Sequence, residues 1–127
     1  MQTKPVSDES FKWIEPKWPA PRWIRALTTE RMHVTASDPF SGFNLARHVG
    51  DATMRAESNR RLLNRGLNLS AKPFWLEQVH GTEIINLDQP NPLKRADGSF
   101  TCRSGVISAI LTADCAPIFL TDRQGTF

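Results

Sequence analysis

The clearest periodic pattern begins after Gly50, where Ala56, Leu62, Leu63 and Leu67 recur at helical spacing among polar residues. It predicts a helix from Ala52 to about Leu67, with the Asp51 carboxylate accepting from the first free amides and Gly66 marking the exit. Before it the pattern is irregular. Residues 1–22 hold Pro5, Pro16, Pro19 and Pro21 around Trp13 and Trp18, which predicts an extended lead-in pinned by aromatic rings. Trp23 to Thr29 has the composition of a strand, and Glu30 to Asn44 is rich in Ser, Asp, Pro and Gly, as in a loop.

Beyond the helix the period shortens. Phe74 to Val79 and Thr82 to Leu87 are expected as strands interrupted at His80 and Gly81. Gln89 to Ser99 collects Pro90, Asn91, Pro92, Asp97 and Gly98 and is expected to be a surface connection, with Asp97-Gly98 a turn. The nearly continuous apolar run Val106 to Thr112 suits a strand covered on both faces, and Pro117 to Thr121 a second short strand. Asp122 to Gly125 is a good hairpin turn, yet only Thr126 and Phe127 follow, so the pattern reads as an unfinished hairpin. The organisation expected is a lead-in over 1–22 and one catalytic domain portion over 23–127.

Composition changes this picture little. With 39% hydrophobic and 23% charged residues the chain falls in the globular range. Its net charge of +3 is spread among acids without a basic stripe, which weighs against nucleic acid as partner. The polar start MQTKPVSDES lacks the basic and apolar regions of a secretory signal, and no apolar run approaches a membrane span, so a cytoplasmic protein is expected. The two cysteines are accordingly read as thiols, with Cys102 as inert core packing.

Chemistry is offered mainly by His80 and Cys115, two good soft-metal donors at breaks in strand patterns. Such distant donors suit a catalytic site with an open position rather than a structural one, although spacing alone favours a buried histidine and a core cysteine. Cys115 as a nucleophile is the other reading, and Asp114 beside it would raise the thiol pKa unless it points away. Asn44, Arg47, His48, Asp51, Arg60, Gln78, Asp97 and Thr101 are further polar candidates, each individually more common as a cap, a turn or a solvated residue; His33 is assigned to the surface.

The run Trp75-Leu76-Glu77-Gln78-Val79-His80-Gly81-Thr82, then Ala96-Asp97, Thr101 and Leu111-Thr112-Ala113-Asp114-Cys115-Ala116-Pro117, closely resembles the laccase-domain polyphenol oxidase family. Asn44-Leu45-Ala46-Arg47-His48-Val49-Gly50-Asp51 and Asn59-Arg60 match its earlier motif. The resemblance implies an α+β fold, a layered α/β sandwich with mixed sheets, of which this chain is the N-terminal portion, truncated before the C-terminal strands and helices. It implies a purine nucleoside phosphorylase acting on adenosine, inosine or methylthioadenosine with phosphate, and adenosine deaminase activity.

Zinc is the implied cofactor, with copper ranked behind it, held by His80, Cys115 and a histidine of a later His-Ala-Gly-Trp-Arg motif that lies outside this sequence. Asn44, Arg47, His48, Arg60 and Gln78 are the expected substrate or phosphate contacts. A peptidoglycan-precursor amidase of the editing-factor type, a copper polyphenol oxidase and an inactive truncated product are the alternatives. Unpaired strand edges would favour self-association.

Overall fold

The computed structural model describes residues 2–4, 11–32 and 35–127; the expectation for His33 lies outside them. The described residues have α+β character, with short strands, small antiparallel and parallel sheets and one long helix among them. Two compact units make it up, one of Met1–Trp18 with Ala26–Leu69 and one of Pro19–Arg25 with Ser70–Phe127.

In the first unit β1 (Gln2–Lys4), β2 (Trp13–Glu15) and β3 (Thr28–Thr29) form an antiparallel sheet in that order. Trp13 pairs with Thr29, and the ladder continues where the Glu30 amide donates to Lys12 O at 2.8 Å. The lead-in thus contains two strands, β1 and β2, and the strand expected over Trp23 to Thr29 shrinks to its last two residues. Alternation explains it: Phe11 and Trp13 point inward and are buried, with Lys12 exposed between them. Phe11 stacks on Phe43 with centroids 4.7 Å apart and lies tilted against Trp13 at 5.5 Å.

Helix α1 runs Thr53–Gly66 and buries Ala56 and Leu63, with Leu67 buried just past its end. Its ends differ from expectation. Ala52 is the N-cap residue and lends no side-chain bond; Asp51 instead accepts from the Ala52 amide at 2.8 Å and from Asn44 Nδ2 at 3.1 Å. Gly66 does not stop the helix. Asn68, at φ +49°, does: its amide donates to Arg65 O and the Leu69 amide to Asn64 O, the paired bonds of a Schellman ending. Gly66 answers to packing, since a Cβ there would meet Phe11 Cε1 at 2.8 Å.

The second unit holds two small parallel sheets, β4 (Phe74–Trp75) with β7 (Ser108–Ala109), and β5 (Ile84–Asn86) with β6 (Gly98–Phe100). Strand β6 falls where a surface connection was expected, because Gly98 pairs with Ile84 directly after the Asp97 turn. Val106 to Thr112 contributes only two strand residues and is half-buried or exposed, and Pro117 to Thr121 forms no strand; Ile118 and Leu120 are exposed. The expected Asp122 to Gly125 turn is present, with the Gly125 amide donating to Asp122 O at 3.2 Å. Glycine is needed there: φ is +66° and a Cβ would meet Trp23 Nε1 at 2.7 Å.

Pro73, Leu76, Leu87 and Ala96 are the buried apolar residues of this unit. So small a core leaves much of the organisation to polar bonds. Asp88 accepts from Thr101 Oγ1, from the Cys102 amide at 2.8 Å and from Arg103 Nε at 3.2 Å, tying the exit of β6 to that of β5. Cys102, expected in the core, is exposed beside this carboxylate. The Thr101 hydroxyl, then the Cys102 amide, hold the Asp88 carboxyl below the usual carboxylate range. Asp122 is lowered in the same way by the Thr126 hydroxyl and amide. A depressed folded-state pKa means stabilisation present above the ordinary value of about 4 and lost as pH falls through the folded-state value. Urea midpoints should therefore fall between pH 5 and roughly pH 2, and fall less in Asp88→Asn; parallel profiles for the two proteins would refute this.

Candidate functional site

His80 and Cys115 both belong to the second unit and both are exposed. Their placement starts from the β4–β7 pair, in which the Phe74 amide donates to Ile107 O at 2.8 Å and Trp75 faces Ala109. Past Trp75 the backbone ladder ends, and the Gln78 side chain takes over. Gln78 Nε2 donates to Leu111 O at 2.9 Å while the Leu111 amide donates to Gln78 Oε1 at 2.7 Å. A side-chain amide thus mimics a strand neighbour. It couples the segment entering His80, two residues on, to the segment entering Cys115, four residues on.

The turn at His80 is held from the other side. One carboxylate, Asp97, accepts from three successive amides: Val79 at 3.0 Å and His80 at 2.8 Å on Oδ1, and Gly81 at 2.8 Å on Oδ2. These bonds, the one from Gly81 foremost, hold the Asp97 carboxyl below its ordinary range. His80 itself adopts φ +58°, a left-handed conformation that costs a residue with a Cβ roughly 1–2 kcal/mol. The role of Asp97 as a clasp was not legible from the Asp-Gly pair, which signals only a turn; its own amide is fixed by donating to Glu83 O at 3.0 Å.

In the first unit Asn44, Arg47, His48 and Arg60 gather around the 44–51 loop and the helix. Asn44 Nδ2 donates to Ala46 O at 2.8 Å, and its Oδ1 accepts from the Ala46 amide at 3.0 Å. Asn59 Nδ2 donates to Asn44 O and Arg60 Nε to Leu45 O, both at 2.8 Å, so two helix side chains carry the loop backbone. Burial and then Arg47 lower the Arg60 pKa, against a smaller opposing effect of Glu57. Arg47 pairs with Glu57, and His48 is exposed. Asn44, Arg60 and Gln78 therefore have bonds that shape the backbone, while Arg47 and His48 are the exposed members of the set.

Imidazole nitrogen and thiolate sulfur are the donor types zinc prefers. Among the described residues no three His, Cys, Asp or Glu side chains come together as a cluster, so His80 and Cys115 fit such an ion in kind and supply part of a set. No helix among the described residues is long and apolar enough to cross a membrane.

The chain belongs to the family described as multi-copper polyphenol oxidoreductase laccase, which matches residues 25–127. Among individual relatives it is similar to the purine nucleoside phosphorylase YfiH of Escherichia coli, 40% identical over 116 residues that cover 91% of this chain and 48% of that protein. A purine nucleoside phosphorylase of Pseudomonas aeruginosa is 42% identical over 114 residues, covering 90% of this chain and 46% of the relative. One from Mycobacterium tuberculosis is 36% identical over 104 residues, covering 80% and 42%. The chain thus spans about half the length of the curated relatives it matches, and those relatives are enzymes by name.

Proposed function

We propose that this chain forms part of a zinc-dependent purine nucleoside phosphorylase of the cytoplasm, built on a layered α/β sandwich. The activity its relatives are named for supports this reading, together with the pair of exposed donors, His80 and Cys115, on segments joined by Gln78. The donors would hold zinc with a further ligand from a longer protein. When bound, the ion supplies a Lewis acid that orients or acidifies an oxygen nucleophile.

Phosphorolysis of inosine, adenosine or methylthioadenosine forms a bond from a phosphate oxygen to C1′ of the sugar and breaks the bond from C1′ to the purine nitrogen. The departing base takes a proton. Arg47 and His48 are assigned to the phosphate, since a guanidinium offers paired donors to an oxyanion and both side chains are exposed. Asn44 and Arg60 shape the loop that carries them, and Gln78 spaces the donors. Adenosine deamination would instead add a water oxygen to C6 of the purine and release the amino group as ammonia. The exposed apolar run Ile118, Phe119 and Leu120 favours self-association.

The test is Cys115→Ala in a protein of the relatives' full length that carries this chain. Zinc content should fall to background and inosine phosphorolysis by more than the roughly 10–100-fold that outer partners of a metal site cost. Unchanged phosphorolysis with unchanged zinc would remove the metal-centred reading, and phenol oxidation without phosphorolysis would replace it.

A further inference from the structure

We propose that Asp97 is a positioning residue for His80, its carboxylate setting the left-handed turn from which the imidazole is presented. The inference rests on the assignment of His80 as a metal ligand made above. A residue with a side chain stays at positive φ only where its surroundings over-determine it. At His80 the determining contacts are direct: the three amides of Val79, His80 and Gly81 all converge on the two Asp97 oxygens, at 2.8–3.0 Å.

The carboxylate is itself fixed. The Asp97 amide donates to Glu83 O at 3.0 Å, Ala96 on one side has no exposed surface, and Gly98 on the other pairs with Ile84 in the β5–β6 ladder. Position is therefore passed from that ladder through Asp97 to the backbone of His80. All three bonds come from backbone amides and none from the imidazole ring, so Asp97 positions His80 through the turn. Convergent amides around one anion make a concave nest, and here a side chain of the same unit fills it.

Asp97→Asn tests this with little change of size. The amide keeps one acceptor oxygen for Val79 and His80 and turns an N–H group toward the Gly81 amide, so the clasp is broken at one point. Hydrogen exchange, followed residue by residue in the 127-residue chain, should speed up at Val79, His80 and Gly81 by at least about tenfold relative to the Phe74 and Leu111 amides of the same unit. Equal acceleration throughout the unit, or none, would overturn the proposal. If Asp97→Asn does not fold, Asp97→Ser, which keeps a single acceptor hydroxyl, gives the same comparison.

The second readout is zinc affinity in the longer protein, where Asp97→Asn should weaken binding about 10–100-fold. Zinc held through His80 with equal affinity in variant and wild type would overturn the positioning role while leaving the function proposed above intact. Wild-type protein that binds no zinc would remove that function, and the exchange pattern would still decide whether Asp97 holds the turn.

Discussion

Phe11→Ala is expected to lower the stability of the first unit by about 3–5 kcal/mol, the usual cost of truncating a buried phenylalanine. Phe11 is only 2% exposed, the most deeply buried large side chain described, and it links otherwise separate parts of the unit. It stacks on Phe43, tilts against Trp13 and fills the space left open by Gly66 on the helix. Alanine would forfeit these contacts together and leave a cavity that sheet and helix can close only in part. Urea unfolding followed by tryptophan fluorescence measures the loss. Met54→Ala, at a side chain 84% exposed on the same helix, should stay within about 0.5 kcal/mol and serves as control. Equal midpoints for the two variants would show that Phe11 does not organise this core.

Gln78→Ala is expected to destabilise the second unit by roughly 2–4 kcal/mol, since it strands both the amide and the carbonyl of Leu111 in half-buried surroundings. Gln78→Glu gives a sharper result. At neutral pH the introduced carboxylate still accepts from the Leu111 amide but sets a negative charge against Leu111 O. Protonated, it can donate to that carbonyl and restore the reciprocal pair. The folded-state pKa of the introduced carboxyl should thus rise above the ordinary glutamate value of about 4.3, so the penalty is present above the folded pKa and is relieved as pH falls through it. Stability of Gln78→Glu relative to wild type should improve between pH 7 and roughly pH 4. A constant difference over that range would mean that the Gln78 donor contributes nothing.

Both results bear on how the candidate donors are placed. Gln78 occupies the point where β4 and β7 stop pairing through the backbone, and the segments beyond it lead to His80 and Cys115. Losing the reciprocal pair would release both segments at once. By contrast, the loop at Asn44 to Asp51 is carried by Asn59 and Arg60 of the helix, and its shape should survive changes at Gln78.

What the sequence determined by itself was the helix, the break at His80, the turn at Asp122 to Gly125 and the family. These follow from local causes: 3.6-residue periodicity, the special conformations of glycine, and residue types in a fixed order. Tertiary structure decided the rest. Gly66 resembles a helix stop but answers to Phe11, fifty-five positions earlier, and Asn68 ends the helix. Gln78 resembles a binding residue, yet its amide is engaged by Leu111; Asp97 resembles a turn residue, yet it gathers three amides from another segment. The physical reason is common to Gln78 and Asp97. A side chain's partner is set by which backbone groups are left unpaired nearby after folding, and that depends on strand register and close approach between segments far apart in sequence.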